Sequence, residues 1–269
     1  MNSSTFNHVS TARVAVVTGA SKGIGRGIAL ALAQEGLDVA VNYCTDLNGA
    51  NETADGIRKS GRVALVVKAD VGIKQEVDQM FKLIVEELGI PSVLVNNSGV
   101  QTWKSLMSLG EEEWDRTIRT NLKGTFLCTQ LGARLMAERK QGTIINIGSG
   151  CNKHPFPNLI DYTSSKGGIE MFTRVAAVEL GCVGITVNCV APGAIEIERT
   201  KAEAPNYAAT WAPLTPMRRI GTTTDVASAV VFLCSNQARF ISGQTLYVDG
   251  GLFSQSIWPY EVKRESEIS

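Results

Sequence analysis

The segment Thr18-Gly19-Ala20-Ser21-Lys22-Gly23-Ile24-Gly25 joins an apolar run, residues 14–18, to an amphipathic stretch, residues 23–34. Gly19, Gly23 and Gly25 have no side chain, so the chain can turn sharply and the amino end of the following helix can approach a diphosphate. The pattern predicts a strand, turn and helix that cradle a dinucleotide. Its spacing differs from Gly-x-Gly-x-x-Gly, so a simple tight turn stays an alternative for this segment alone.

Short β-branched runs alternate with longer amphipathic stretches on both sides of this segment. The predicted strands are 14–18, 39–43, 63–68, 93–96, 143–147, 185–190 and 245–248. The clearest predicted helices are 23–34, 47–59, 74–88, 111–139, 162–180 and 225–233. This alternation predicts an α/β fold of Rossmann type: a doubly wound, seven-stranded parallel sheet with helices on both faces.

The chain of 269 residues fits one large domain, and the regular alternation has no linker. We predict an N-terminal extension at 1–12, a single catalytic domain at 13–253 and a C-terminal tail at 254–269. A proline-rich insertion at 193–221 follows the sixth strand, where ligands bind in such sheets, and is predicted to be a substrate lid. A solvated surface loop is the alternative. The tail either packs on a neighbouring subunit or is disordered.

The composition excludes several classes of protein. Lys+Arg and Asp+Glu number 26 each, so there is no basic field to attract nucleic acid. The six cysteines form no Cys-x-x-Cys pair and only two histidines accompany them, so no metal site is predicted. The polar start does not resemble a secretory signal, and no apolar run is long enough to span a membrane. A cytoplasmic protein with reduced, mostly buried cysteines is therefore expected.

Tyr162 and Lys166 are one helical turn apart and share a helix face. An ammonium beside a phenol favours the phenolate and brings the phenol's pKa closer to neutrality, which suits proton transfer. The pair is preceded by Ser149, at the end of the fifth strand, and by Asn121, within a long helix. Together these four residues predict a hydride-transfer site. A turn residue for Ser149 and a bond within the helix for Asn121 are the alternatives.

Polar residues at other strand ends extend the predicted cofactor site. Asp70 and Val71 end the third strand, where the carboxylate can accept from an adenine amine, or can cap the helix that begins near residue 74. Asn97, Ser98 and Gly99 end the fourth strand and are expected to line a ribose.

The second strand ends in Asn42-Tyr43 without the acid that would clasp a ribose 2′-hydroxyl. Lys22 can supply a cation to a 2′-phosphate, and Asn42 and Tyr43 can hydrogen-bond it. NADP(H) is therefore the predicted cofactor. Asp46 stands close to the usual position of the acid that selects NAD(H), which keeps NAD(H) possible.

The motifs named above, with Pro192-Gly193 and Val248-Asp249-Gly250-Gly251, resemble the classical short-chain dehydrogenase/reductase family over nearly the whole chain. The likeness is greatest to its glucose 1-dehydrogenase and 3-oxoacyl-carrier-protein reductase members. It implies that the residues already named contact the cofactor. It also implies cofactor contacts by Ser21, Ile24, Tyr162, Lys166, Pro192, Gly193 and Ile195. Ser98 departs from the usual alanine, and Thr200 comes later than the usual threonine, which puts its contact with a nicotinamide amide in question.

The resemblance also implies a mechanism. Tyr162 would be the general acid or base, Lys166 would lower its pKa and bind a ribose, Ser149 would hold the substrate oxygen, and Asn121 would anchor a water. The implied function is NADP(H)-dependent interconversion of a secondary alcohol and a carbonyl compound: a sugar, polyol, cyclic ketone or oxoacyl substrate. The alternatives are an NAD-dependent sugar dehydrogenase and a catalytically silent dinucleotide sensor.

Six residues lie in segments predicted to line the substrate pocket: Trp103, Asn152, Lys153, His154, Phe156 and Trp211. An exposed or structural role is the alternative, for His154 above all. The resemblance further implies a homotetramer. The long helices 111–139 and 162–180 support it, because apolar residues such as Phe126 and Met171 spread around more of their circumference than one buried stripe needs.

Overall fold

The computed structural model describes residues 13–256 of the chain. Seven parallel strands form one sheet in the order β3-β2-β1-β4-β5-β6-β7. The strands are β1 Val14–Val17, β2 Asp38–Tyr43, β3 Ala64–Lys68, β4 Val93–Asn96, β5 Gly142–Ile147, β6 Ile185–Pro192 and β7 Thr245–Val248. The predicted fold class is confirmed.

Helices connect the strands and cover the sheet. They are α1 Gly23–Gln34, α2 Leu47–Lys59, α3 Lys74–Glu87, α4 Glu111–Ile118, α5 Gly124–Glu138, α6 Ile160–Gly181, α7 Glu198–Glu203, α8 Tyr207–Trp211 and α9 Thr223–Leu233. The predicted helix 111–139 is interrupted by one π-helical turn, Arg119–Lys123. In that turn the amide of Gly124 bonds five residues back, to the carbonyl of Arg119.

The sheet is buried on both faces, as its β-branched strands predict. Along β1, Ala15 and Val17 join one apolar cluster with α1, α2 and α9, while Val14 and Val16 join a second with α3, α5 and α6. Because side chains alternate along each strand, the two faces of the sheet contribute to two separate apolar cores.

All strands end at one edge of the sheet, and the order reverses between β1 and β4. The predicted lid at 193–221 follows β6 at that edge and contains the short helices α7 and α8. Residues 1–12 and 257–269, which include all of the predicted extension and most of the tail, lie outside the described residues.

Three further observations concern the described part of the chain. All six cysteines are unpaired thiols, four of them buried. Within residues 13–256, no group of side chains is arranged to hold a metal ion, and no helix has the length and apolar character to cross a membrane.

Candidate active site

The turn between β1 and α1 is held by the residues at the end of β4. The Thr18 hydroxyl accepts hydrogen bonds from the amides of Asn97 and Ser98 at 2.9 and 3.0 Å. The Asn97 side-chain amide donates to the carbonyls of Thr18 and Gly19 at 2.9 and 3.0 Å. Two neighbouring strand ends are thereby joined where the strand order reverses.

The glycines of the turn are required by its geometry. Gly19 and Gly23 have φ of +60° and +57°, a region that disfavours side chains. A Cβ at Gly25 would lie 2.4 Å from both the Asn97 amide nitrogen and the Gly19 carbonyl oxygen. The first turn of α1 carries no acidic residue. The exposed amides at this helix end therefore suit the diphosphate of a dinucleotide, and the residues fit that group.

Asn42 has a scaffolding role that the sequence did not predict. Its side chain is buried, accepts from the Gly19 amide at 3.1 Å and donates to the Ala69 carbonyl at 3.1 Å. These bonds tie the glycine turn to the ends of β2 and β3. The predicted hydrogen bond from Asn42 to a 2′-phosphate is wrong, because the side chain is already committed. The neighbouring Tyr43 is half-buried.

Lys22 and Asp46 face each other beside this turn. Their charged groups are 3.8 Å apart, and the Lys22 side chain is 60% exposed. Asp46 also caps α2, since its carboxylate accepts from the Gly49 amide at 3.0 Å. Asp46, the residue that left NAD(H) possible as the cofactor, thus binds the amino end of α2 and lies beside the Lys22 ammonium.

Asp70 closes a turn after β3. Its carboxylate accepts from the Gly72 amide at 2.8 Å and lies 3.4 Å from the Arg119 guanidinium. The helix-cap alternative for Asp70 is wrong, because α3 begins after Ile73. Val71 is buried, and a Cβ at Gly124 would approach it to 2.6 Å.

Tyr162, Lys166 and Ser149 come together as the sequence predicts. Lys166 is buried and donates from Nζ to the Ile147 carbonyl at 2.6 Å. The same Nζ lies 5.5 Å from the centre of the Tyr162 ring. Ser149 follows β5, and its hydroxyl hydrogen-bonds the Tyr162 phenol.

Burial controls the protonation of this pair. It raises the pKa of Tyr162. The Ser149 hydroxyl and Arg199 act in the opposite direction, but their effect is smaller. Burial also lowers the pKa of Lys166 to about 8. The pKa of Tyr162 within the polypeptide is thus raised overall, because desolvation is the largest influence on it, whereas the sequence predicted a lowering by Lys166. Near neutral pH the site holds a neutral phenol, which can donate a proton, beside a mostly protonated amine.

Asn121 lies in the π-helical turn and is fully buried. Its side chain exchanges two hydrogen bonds with the main chain of Val100, at 2.8 and 2.9 Å, and donates to the Ser165 hydroxyl at 2.9 Å. The alternative of a bond within its own helix does not describe this side chain. A Cβ at Gly99 would lie 3.5 Å from the Asn121 side-chain oxygen, so the end of β4 contacts the turn closely.

The chain after β6 is also fixed. Gly193 donates to the Val248 carbonyl at 2.9 Å, next to the closing Asp249 motif. The Thr200 hydroxyl accepts from the Ile197 amide at 3.0 Å, so it serves the start of α7. Ile195 is buried, and its amide hydrogen-bonds the phenol of Tyr207.

The predicted pocket residues separate into two groups. Three polar ones bind the scaffold: Asn152 donates to Glu170 at 3.1 Å, the Lys153 ammonium lies 5.5 Å from the Tyr247 ring, and His154 is 3.1 Å from the Phe253 carbonyl. The aromatic Phe156 and Trp211 contact each other with ring centres 5.6 Å apart. Trp103 is 59% exposed.

Sequence reasoning missed three neighbours of the site. Cys151 is buried, its amide donates to the Ser149 hydroxyl at 3.3 Å, and its thiol hydrogen-bonds the same group. Tyr207 on α8 and Phe253 after β7 complete the aromatic surroundings. A cysteine two residues after Ser149 was a usable signal, whereas the positions of Tyr207 and Phe253 depend on how the lid and the chain end fold back.

A doubly wound sheet with a glycine turn and a Tyr-Lys-Ser cluster defines a nicotinamide-dependent oxidoreductase. A family model described as enoyl-(acyl carrier protein) reductase matches residues 19–253. The 3-oxoacyl-[acyl-carrier-protein] reductase FabG of Staphylococcus epidermidis is 41% identical over 239 residues, 89% of this chain and 98% of the relative. The corresponding reductase of Synechocystis is 40% identical over 243 residues, 90% of this chain and 97% of the relative.

A solved structure supports the same assignment. Acetoin dehydrogenase YohF from Salmonella typhimurium superposes with a TM-score of 0.84 at 34% identity, covering 94% of this chain and all of that one (100%). The chain belongs to the classical short-chain dehydrogenase/reductase family and is an oxidoreductase of that family.

We expect Gly25→Ala to weaken NADPH binding by at least about tenfold, because the added carbon must displace Asn97 or the Gly19 carbonyl. Fluorescence titration with NADPH measures this effect. Gly181→Ala is the control, since a Cβ there meets nothing within 4 Å. Unchanged binding by a folded Gly25 variant would contradict the proposed cradle.

Proposed function

We propose that this enzyme interconverts a secondary alcohol and a ketone or aldehyde with NADP(H). The observation that carries the proposal is a cluster of three groups: the Tyr162 phenol hydrogen-bonds the Ser149 hydroxyl, and the Lys166 ammonium lies 5.5 Å from the centre of the Tyr162 ring. A silent dinucleotide sensor would not need this arrangement, and the relatives compared above are named as reductases and a dehydrogenase.

The residues act on the carbonyl oxygen in this proposal. When bound, the dinucleotide supplies or accepts the hydride. Ser149 holds the oxygen by a hydrogen bond, and Tyr162 donates its phenolic proton as negative charge develops there. Lys166 stabilises the resulting phenolate by its charge and would contact the nicotinamide ribose. Asn121, fixed between Val100 and Ser165, would anchor the water through which the proton is replaced.

The preference for NADP(H) rests on charge near the end of β2. Lys22 is well exposed beside the glycine turn, whereas the nearby Asp46 carboxylate is taken up by the α2 amino end and by Lys22 itself. The strand end Asn42-Tyr43 presents no acid that would repel a 2′-phosphate. The NAD-dependent sugar dehydrogenase alternative loses its main support when Asp46 is a helix cap.

We further propose a single catalytic domain at 13–253 and a homotetramer located in the cytoplasm. Support for assembly comes from the apolar surface of α6, where Met171, Val175 and Val178 are 57%, 51% and 82% exposed. On α5, Phe126 is 42% exposed. Symmetric association is the common way to cover such surface.

Tyr162→Phe should abolish turnover of an activated ketone and leave NADPH affinity within a few-fold of wild type. The change removes only the transferable proton, which is needed in the transition state. Nicotinamide absorbance measures turnover and fluorescence titration measures binding. Turnover close to wild type would refute the acid role.

Cys44→Asp should reverse the cofactor preference, lowering kcat/KM for NADPH by at least about tenfold relative to NADH. Cys44 is exposed and directly follows β2, so an acid there meets the 2′-phosphate without disturbing the buried Asn42. Cys44→Ser is the matched control without charge. Equal effects of both substitutions, or a wild type that prefers NADH, would contradict the NADP(H) assignment.

Light scattering of the active enzyme should give about four times the 28.8 kDa of one chain. Val178→Glu, which places a charge on the exposed apolar surface of α6, should shift the mass downwards. A monomeric mass in an active wild-type sample would overturn the tetramer.

A further inference from the structure

Four aromatic side chains form a continuous surface, here called the aromatic wall: Phe156, Tyr207, Trp211 and Phe253. Phe156 contacts Trp211 edge-on, with ring centres 5.6 Å apart, and Phe253 at 6.0 Å. Tyr207 and Trp211 are 6.2 Å apart. These separations are those of favourable ring contacts. The wall thus joins the lid, the loop after Ser149 and the chain after β7.

The two ends of the aromatic wall lie beside the reacting groups. Phe253 is buried against Gly150, the residue after Ser149, so closely that a Cβ at Gly150 would overlap the ring. At the other end, the Tyr207 phenol accepts a hydrogen bond from the Ile195 amide, and the nearby Tyr162 contributes to the raised pKa of Tyr207. Phe156, Tyr207 and Trp211 are only half-buried, which leaves ring surface open to a ligand.

The polar groups predicted for this pocket are directed elsewhere. Asn152 is bound to Glu170, Lys153 lies over Tyr247, and His154 is held by the Phe253 carbonyl. Hydroxyl groups of a bound polyol need partners, because a buried polar group without one costs free energy. Each of these three side chains has a partner within the fold, and among their buried polar atoms only the side-chain oxygen of Asn152 is left without one.

We propose that the carbonyl compound preferred by this enzyme carries an aromatic or other apolar ring next to the reacting carbon, and that the ring packs against the aromatic wall. This inference rests on the proposed function. It narrows the class of substrates proposed there, because it excludes sugars and polyols. Phe156 and Trp211 determine specificity in this arrangement, because their rings contact each other, one from the loop after Ser149 and the other from α8. The chemistry at Tyr162 stays the same.

The test compares two diketones that differ in one substituent: diacetyl, and the compound in which phenyl replaces one of its methyl groups. With NADPH, the phenyl compound should have a kcat/KM at least about tenfold higher, and D-fructose should be the poorest of the three. Trp211→Ala and Phe156→Ala should reduce this ratio to about one, because each removes a ring against which the phenyl group packs. Trp103→Ala, which alters an exposed ring outside the wall, is the control and should keep the ratio.

A binding measurement separates this inference from the proposed function. Titration calorimetry of the NADPH complex of Tyr162→Phe should show tighter binding of the phenyl diketone than of diacetyl, and Trp211→Ala in that background should abolish the difference. Diacetyl turnover without a phenyl preference, or a preference for D-fructose, would overturn the aromatic wall and leave the proposed function standing. Absence of turnover with every ketone, together with selective binding of the phenyl compound, would overturn the proposed function alone.

Discussion

The hydrogen bonds between the β1–α1 turn and the end of β4 are the constraint on which the rest of the site depends. Thr18 and Asn97 satisfy four main-chain groups between them, and the side chain of Asn97 fills the space that a Cβ at Gly25 would need. The amino end of α1 is thereby fixed at the point where strand order reverses. Because β5 lies next to β4, Ser149 emerges beside the same crevice, and a cofactor and a carbonyl can meet there.

Desolvation is the second determinant of the chemistry. The buried Lys166 ammonium donates to a strand carbonyl, and the half-buried Tyr162 phenol hydrogen-bonds the Ser149 hydroxyl. Desolvation favours the neutral form of both groups. Near neutral pH, Tyr162 is therefore protonated, and the pKa of Lys166 lies close to that pH. A group that acts as a general acid must hold its proton before the reaction begins.

The fold and the proximity of Tyr162 to Lys166 were predictable because they depend on local periodicity and on spacing within one helix. The direction in which individual side chains point was not predictable from the sequence. Asn42 turns inwards to bond Gly19, and Asp70 bonds Gly72 rather than a helix end, since neighbouring strands determine which groups are unsatisfied there. The π-helical turn around Asn121 breaks no sequence periodicity. His154 was assigned to the pocket by position along the chain, but its actual partner is Phe253, 99 residues away.

The fit of the Phe253 ring over Gly150 has an evolutionary consequence. A side chain at position 150 and an aromatic ring at position 253 exclude each other, although the two positions are far apart in the sequence. Either substitution alone is harmful, one by overlap and the other by leaving a void beside Ser149. In descendants of this chain the two positions should therefore change as a pair, and lineages that drift towards other substrates are expected to pass through that coupled replacement.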